Sequence, residues 1–280
     1  MSKTLFVTDL DGTLLRSDKT ISEETVTLMN KMIRQGVLIT YATARSIISS
    51  QELTSEILFQ IPVITRNGTV LADHFSRDEI EIESFDSTQI EKIRTVLKRM
   101  SLSGFVTAYT TGKGHTYQGH KWYLKSRSNP GFLSYLKEHK DDKRLQGVPT
   151  EKELFQGSIS YFTFIGDKDE LDPAYDYVKK LEDINYNYEQ NKYSSEYWLE
   201  IFPKNATKAK AIEKLKKQFA CDRVVVFGDS FNDEPMFQIA DEAYAVANAE
   251  ERIKELATGI IDSNDNDGIA KFLKGWNDKN

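Results

Sequence analysis

The chain has 280 residues, 39% hydrophobic and 29% charged, with a formal net charge of −6. This composition excludes a disordered chain and suits two domains of ordinary size better than one core. The acidic balance argues against nucleic acid or an anionic membrane as the main partner, because both require a basic face.

The first apolar run, Leu5-Phe6-Val7, ends at Asp9 and reads as a buried strand. Ile21 to Arg34 follows with helical spacing. Ser22 stands as its cap, Val26, Met29 and Ile33 share one face, and Gly36 closes it in the left-handed conformation. Val37-Leu38-Ile39 is a second run, Ile47 to Phe59 a second helix, and Pro62-Val63-Ile64 a third run ending at Asn67-Gly68. Strand, helix, strand, helix, strand is the order of a parallel sheet covered on both faces. The C-terminal part repeats it, with a helix over Thr207 to Phe219, strands over Val224 to Phe227 and Ala243 to Ala247, a helix over Glu250 to Ala257 and an apolar run at Gly259 to Ile261.

The middle is richer in Tyr, Gly and polar residues. Ile80 and Ile82 alternate with glutamates as an edge-like strand, Thr88 to Met100 is an amphipathic helix, and Tyr175 to Leu181 sits on another. Phe105 to Thr110, Ser160 to Ile165 and Ile184 to Tyr188 read as strands. The expected fold class is therefore α/β: a Rossmann-like parallel-sheet core made of 1–83 and 193–280, with an α+β domain, 84–192, inserted into it. A single cysteine, Cys221, excludes an internal disulfide framework and an ordinary zinc site, and reads as a reduced structural thiol. No apolar run approaches the roughly 18 residues of a membrane span. Met1 to Thr4 lacks a basic region followed by an apolar stretch, so cytoplasmic residence is the default expectation.

Four segments carry chemistry. Asp9-Leu10-Asp11-Gly12-Thr13 directly follows a strand, where ligands of open α/β sheets bind. One carboxylate there could attack phosphorus while the other moves protons. A calcium loop or a polar turn shares Asp-x-Asp-Gly, so the string alone leaves those open. Gly228-Asp229-Ser230-Phe231-Asn232-Asp233 also follows a strand. Asp9, the backbone carbonyl of Asp11 and Asp229 could surround a hard cation such as magnesium, with Asp233 orienting them from behind. The competing reading makes Asp229 or Asn232 a helix cap. Thr43, in Ala42-Thr43-Ala44-Arg45, offers a hydroxyl to a phosphoryl oxygen or, equally, a cap to the next helix. Lys208, with Lys204 and Lys210 nearby, is either a charge-neutralising group or a solvated surface charge.

In this order, Asp9-x-Asp11-Gly12-Thr13, Thr43, Lys208 and Gly228-Asp229-x-x-Asn232-Asp233 resemble the four motifs of haloacid dehalogenase (HAD) superfamily phosphatases. Leu199 to Lys208, Thr65-Arg66-Asn67-Gly68 and Ser263 to Ile269 resemble segments of the Cof-type branch, whose large α/β cap (type IIB) the middle block matches by position. The resemblance implies a magnesium-dependent phosphoric monoester hydrolase acting on a small phosphorylated metabolite, a sugar phosphate or similar, with no obligate protein partner evident. Asp9 would form an aspartyl-phosphate, and Asp11 would protonate the leaving oxygen and then deprotonate water. Thr43, Lys208, Asn232, Asn67 and Arg45 would hold phosphate. Asp9, Asp11, Asp229 and Asp233 would hold or support the metal.

One departure is visible: the branch usually has Gly where this chain has Ala44, which removes easy access to positive φ. A phosphomutase on the same core is the alternative. A non-catalytic phospho-accepting module is a further one, opposed by the length and by the second acidic loop. Tyr109, Lys113, His115, Tyr117, His120, Lys121, Trp122 and Tyr123 are candidate substrate readers in the middle block. Gly112, Gly114 and Gly119 suggest a substrate loop over Thr110 to Gly119.

Overall fold

The computed structural model describes residues 3–99, 104–112, 115–122, 130–191 and 195–277. In chain order the first elements are β1 (Thr4–Thr8), α1 (Glu23–Arg34), β2 (Leu38–Tyr41), α2 (Ile47–Thr54), β3 (Val63–Thr65), β4 (Val70–Ala72) and β5 (Glu79–Ile82). The middle holds α3 (Ser87–Arg99), β6 (Gly104–Gly112), β7 (His115–Trp122), α4 (Pro130–Glu138), β8 (Leu145–Gly147), α5 (Glu151–Leu154), β9 (Ser158–Gly166), α6 (Lys168–Val178), β10 (Ile184–Gln190) and β11 (Tyr197–Pro203). The chain ends with α7 (Lys208–Gln218), β12 (Arg223–Gly228), α8 (Glu234–Ile239), β13 (Glu242–Val246), α9 (Glu251–Leu256), β14 (Gly259–Ile261) and α10 (Gly268–Asn277).

Two compact units result: 1–82 with 206–280, and 83–205. The first holds a parallel five-stranded sheet, ordered β14-β13-β12-β1-β2. All five residues of β1 are buried, because helices cover both faces. Leu5, Val7, Val224 and Val226 pack with Ile212 and Leu215 of α7. On the alternate parity, Phe6 meets Trp276 edge-on at 4.9 Å and Phe227 meets Phe272 at 5.2 Å, so α10 covers the other face. The expectation of an α/β fold with a parallel-sheet core and an inserted α+β unit is borne out.

Local signals set the helix ends. The Ser22 side chain accepts from Thr25 N, Glu23 and Glu24 occupy the first turn of α1, Lys31 and Arg34 the last, and Gly36 takes φ 88°. Two expected elements differ. Val63–Thr65 touches the core sheet through one bridge, Ala42 to Ile64, and instead pairs antiparallel with β4 in a separate sheet, β3-β4-β5. Helix α2 stops at Thr54, short of Phe59.

The second unit is built on a sheet ordered β10-β11-β9-β6-β7-β8. Its Val106, Phe162, Phe164, Leu199 and Ile201 pack with α3 and α6 through Ile93, Leu171, Ala174 and Val178. Phe105 and Ile165 on the opposite parity pack with Phe132 of α4. This unit reaches Asn205, whereas the sequence reading put 193–205 with the core. The reason is that β11 hydrogen-bonds β9 and β10 along its length. Within the expected loop over Thr110 to Gly119, residues 110–112 and 115–119 lie instead on β6 and β7, which pair antiparallel from Phe105–Trp122 to Gly112–His115. Thr110, Thr111, Thr116 and Tyr117 are strand-forming residue types there.

Candidate active site

Asp9 lies one residue beyond β1, and its N–H donates to the Phe227 carbonyl at 2.9 Å. That bond sets the two acidic loops side by side at the carboxyl ends of β1 and β12. Asp229 begins the second loop, and its carbonyl is tied to Glu250 N at 2.8 Å. Asp233, fully buried, turns back to accept from Asp229 N at 2.9 Å and Ser230 N at 3.2 Å. Ser230 and Asp233 cap the short helical turn Phe231–Asp233, so Asp229 is not spent as a cap. Gly228 permits this return, because a Cβ there would stand 2.7 Å from Asp233 Oδ2.

Lys208 opens α7 behind its cap Thr207 and is 2% exposed, which removes the solvated-charge reading. Its Nζ donates to Asp9 Oδ1 at 2.6 Å and to Asp233 Oδ1 at 2.7 Å. Burial alone would push the Lys208 ammonium's pKa down. The Asp233 and Asp9 carboxylates together outweigh that and hold it above its ordinary value. Asp9, Asp229 and Asp233 each offer a carboxylate oxygen within 4.8 Å of the others, all buried. One ammonium among three carboxylates leaves an excess of negative charge in a desolvated pocket. A hard divalent cation fits this all-oxygen set. Thr13 Oγ1 adds a bond to Asp229 Oδ1 at 3.1 Å, a contact that the motif contained but the sequence reading left without a role.

Asp11 stands apart from this trio. Arg45 grips it bidentately, Nε to Oδ2 at 2.7 Å and Nη2 to Oδ1 at 2.6 Å, with both side chains 22% exposed. Thr43 is 1% exposed, and α2 takes Ser46 rather than Thr43 as its cap. Thr43 N donates to Ile64 O and Asn67 N to Thr43 O, both at 2.9 Å, which joins the two loops. Ala44 is not among the residues with positive φ, so its methyl costs the backbone nothing. Arg66, Asn67 and Gly68 do take positive φ, at 49°, 54° and 94°. Gly68 lies so close to α7 that a Cβ would be 2.1 Å from Thr207 O. Asn67 Oδ1 accepts weakly from Asn232 Nδ2 at 3.4 Å.

The middle-block readers fare differently. Tyr109 is 4% exposed, Lys121 donates to Gln156 O at 2.6 Å, and Trp122 packs beside Phe105 and Phe132, so these three are built into the fold of their unit. Lys113 and Tyr123 lie outside the described residues. His115, Tyr117 and His120 fall on β7. Cys221 is buried, and burial pushes its thiol pKa up, as expected of a structural thiol.

The family model of haloacid dehalogenase-like hydrolases matches residues 6–273. The chain is 26% identical over 288 residues to phosphatase YwpJ of Bacillus subtilis, covering 96% of this chain and 98% of that protein. It is 25% identical over 290 residues to the 5-amino-6-(5-phospho-D-ribitylamino)uracil phosphatase YwtE of the same species, covering 95% of each. In fold it is similar to the HAD subclass IIB sugar phosphatase BT4131, with a TM-score of 0.71 at 19% identity over 99% of both chains. No described helix is long and apolar enough to cross a membrane. With its acidic loops at the ends of two neighbouring strands and the family match spanning nearly all of it, the chain belongs to the haloacid dehalogenase-like hydrolases and is a phosphoric monoester hydrolase of that family.

Proposed function

We propose that the protein hydrolyses a small phosphorylated metabolite, a sugar or polyol phosphate, through a covalent aspartyl-phosphate on Asp9, with magnesium as its metal. The observation that carries this is the buried set of Asp9, Lys208 and Asp233 beside Asp229. Lys208 holds Asp9 through Oδ1, which fixes the carboxylate that we assign as the nucleophile. A new P–O bond forms to Asp9 as the bond to the leaving oxygen breaks, and that oxygen takes a proton from Asp11, which can carry one only once the Arg45 pair has opened. Water then attacks the aspartyl-phosphate, losing its proton to Asp11, and phosphate leaves with Asp9 regenerated. Asp9, Asp229 and Asp233, with the Asp11 carbonyl, would hold the metal, which supplies positive charge against the repulsion between nucleophile and phosphoryl oxygens.

Thr43, Asn67 and Asn232 are proposed as phosphoryl-oxygen contacts, and the bonds that join their loops support this. Arg45 would reach phosphate only by leaving Asp11. The unit 83–205 stands in the chain where the resemblance places a cap, and we assign it the part of reading the leaving group. The likeness to YwtE, a 5-amino-6-(5-phospho-D-ribitylamino)uracil phosphatase, supports a polyhydroxylated leaving group.

The test is phosphate release from a panel of sugar, polyol and nucleotide phosphates, with and without magnesium, for wild type and Asp9→Asn. Release that needs both the metal and Asp9 supports the reading. Release by Asp9→Asn at the wild-type rate removes it, and isomerised phosphate esters without free phosphate would instead identify a mutase.

A further inference from the structure

The turn that carries Asp11 is braced from outside by two asparagines to which the proposed chemistry gives no part. Asn248, just after β13, donates from Nδ2 to the Gly12 carbonyl at 2.8 Å and accepts at Oδ1 from Asn264 N at 3.1 Å. Asn264, 6% exposed, donates from Nδ2 to the Leu15 carbonyl at 3.0 Å. The two amides form one relay with both ends on the same turn.

That turn needs a brace. Its internal bonds run from Thr13 N and Leu15 N to the Leu10 carbonyl, at 3.2 and 2.8 Å, and Gly12 sits at φ 83°. A glycine joint next to Asp11 is the softest point in the loop. The Gly12 and Leu15 carbonyls bracket the remaining freedom, and the asparagines take both. Asn264 is itself held, because Asp267 takes φ 55° and Gly268 lies where a Cβ would be 1.9 Å from Asp262 O. Arg16 to Asp267 at 2.7 Å and Ser17 to Asp265 at 2.8 Å lash the next residues to the same segment. Two residues past Asn248, Glu250 N donates to Asp229 O, so one stretch of chain touches both acidic loops.

We propose that Asn248 and Asn264 are positioning residues for the leaving-group step, fixing the pitch of the Asp11 turn and so the reach of its carboxyl beyond Asp9. This rests on the reading of Asp11 as the proton donor. A proton donor must come within about 2.6–3.2 Å of the oxygen it serves, and a misplacement of about 1 Å costs up to about 10²-fold.

The test compares kcat/KM for the best alkyl phosphate of the panel with kcat/KM for p-nitrophenyl phosphate, whose leaving group departs without a proton. Asn248 is exposed, so Asn248→Ala keeps the fold testable even where Asn264→Ala does not. Asn30→Ala is the structural comparator: Asn30 is 8% exposed and joins Glu56 O and Leu58 N at 2.8 Å each, partners that belong to neither acidic loop. The alkyl-to-aryl ratio is expected to fall at least about tenfold in Asn248→Ala and Asn264→Ala, in the direction of Asp11→Asn, and to hold in Asn30→Ala. A ratio that falls in Asp11→Asn but not in Asn248→Ala overturns the proposal alone, as does an equal fall in Asn30→Ala. A ratio that Asp11→Asn itself leaves unchanged overturns the proton-donor reading and the proposal with it.

Discussion

Asp9 and Asp11 are two residues apart and sit in opposite environments. The Asp9 side chain is 6% exposed against a buried ammonium, and the Asp11 side chain is 22% exposed against a guanidinium. Neighbouring carboxylates in unlike surroundings can take unlike roles, one as nucleophile and one as proton carrier. Lys208 decides the first environment. It is the partner of two buried carboxylates, and removing one partner of a buried ion pair costs about 3–5 kcal/mol because the remaining charge stays desolvated. Lys208→Met is therefore expected to lower unfolding free energy by about 3–5 kcal/mol in denaturant titration, and to stop phosphate release. A loss under about 1 kcal/mol would show that the carboxylates are compensated by other means.

At the scale of elements, the small sheet β3-β4-β5 is fastened by aromatic packing. His74, after β4, is 1% exposed and meets Phe59 at 5.0 Å and Tyr41 at 6.0 Å, both edge-on. Burial pushes its pKa below the usual value, against the Thr54 backbone and Asp73, which raise it. The folded chain thus keeps His74 neutral where the unfolded chain, titrating near about 6.5, takes a proton. Its contribution is fully present above about pH 6.5 and is lost as pH falls from there towards the folded value. His74→Phe is expected to flatten that part of the stability profile between about pH 7.5 and 5. Identical profiles for variant and wild type would contradict it.

Elements with their own punctuation were legible in the sequence. β1 and β12 are apolar runs ending in acidic loops, and α1 and α7 carry Ser22 and Thr207 as caps. The run Pro62-Val63-Ile64 reads as a third core strand, but so short an apolar run does not say which neighbour it pairs with, and the observed strand Val63–Thr65 pairs with β4. The expectation that the core resumes at 193 takes in Tyr197–Pro203, because the resemblance of Leu199 to Lys208 to a Cof-type segment carries no sign of the pairing of β11 with β9 and β10. The acidic residues of the site were visible as motifs. The grip of Arg45 on Asp11 was not, because a contact between residues 34 apart leaves no local signal. The closeness of Gly68 to α7 was hidden for the same reason: only the fold brings Thr207 O beside it.

Across the whole molecule, Asp9, Asp11, Thr43, Arg45, Asn67, Lys208, Asp229, Asn232 and Asp233 all belong to the unit made of 1–82 and 206–280. The chain leaves that unit after β5 and returns before α7, so the proposed phosphoryl chemistry draws on residues from both of its ends. The unit 83–205 brings none of that set. Under the proposed function, one unit would carry a fixed reaction while the other varied with the leaving group.

The central claim is covalent capture on Asp9, and the most direct measurement is trapping. The enzyme is mixed with magnesium and its best substrate, quenched during turnover, reduced with borohydride and analysed by peptide mass spectrometry. The expected result is homoserine in place of Asp9, formed by reduction of the aspartyl-phosphate and absent without substrate. Full turnover with Asp9 always recovered intact, or with reduction at a different carboxylate, would contradict the account.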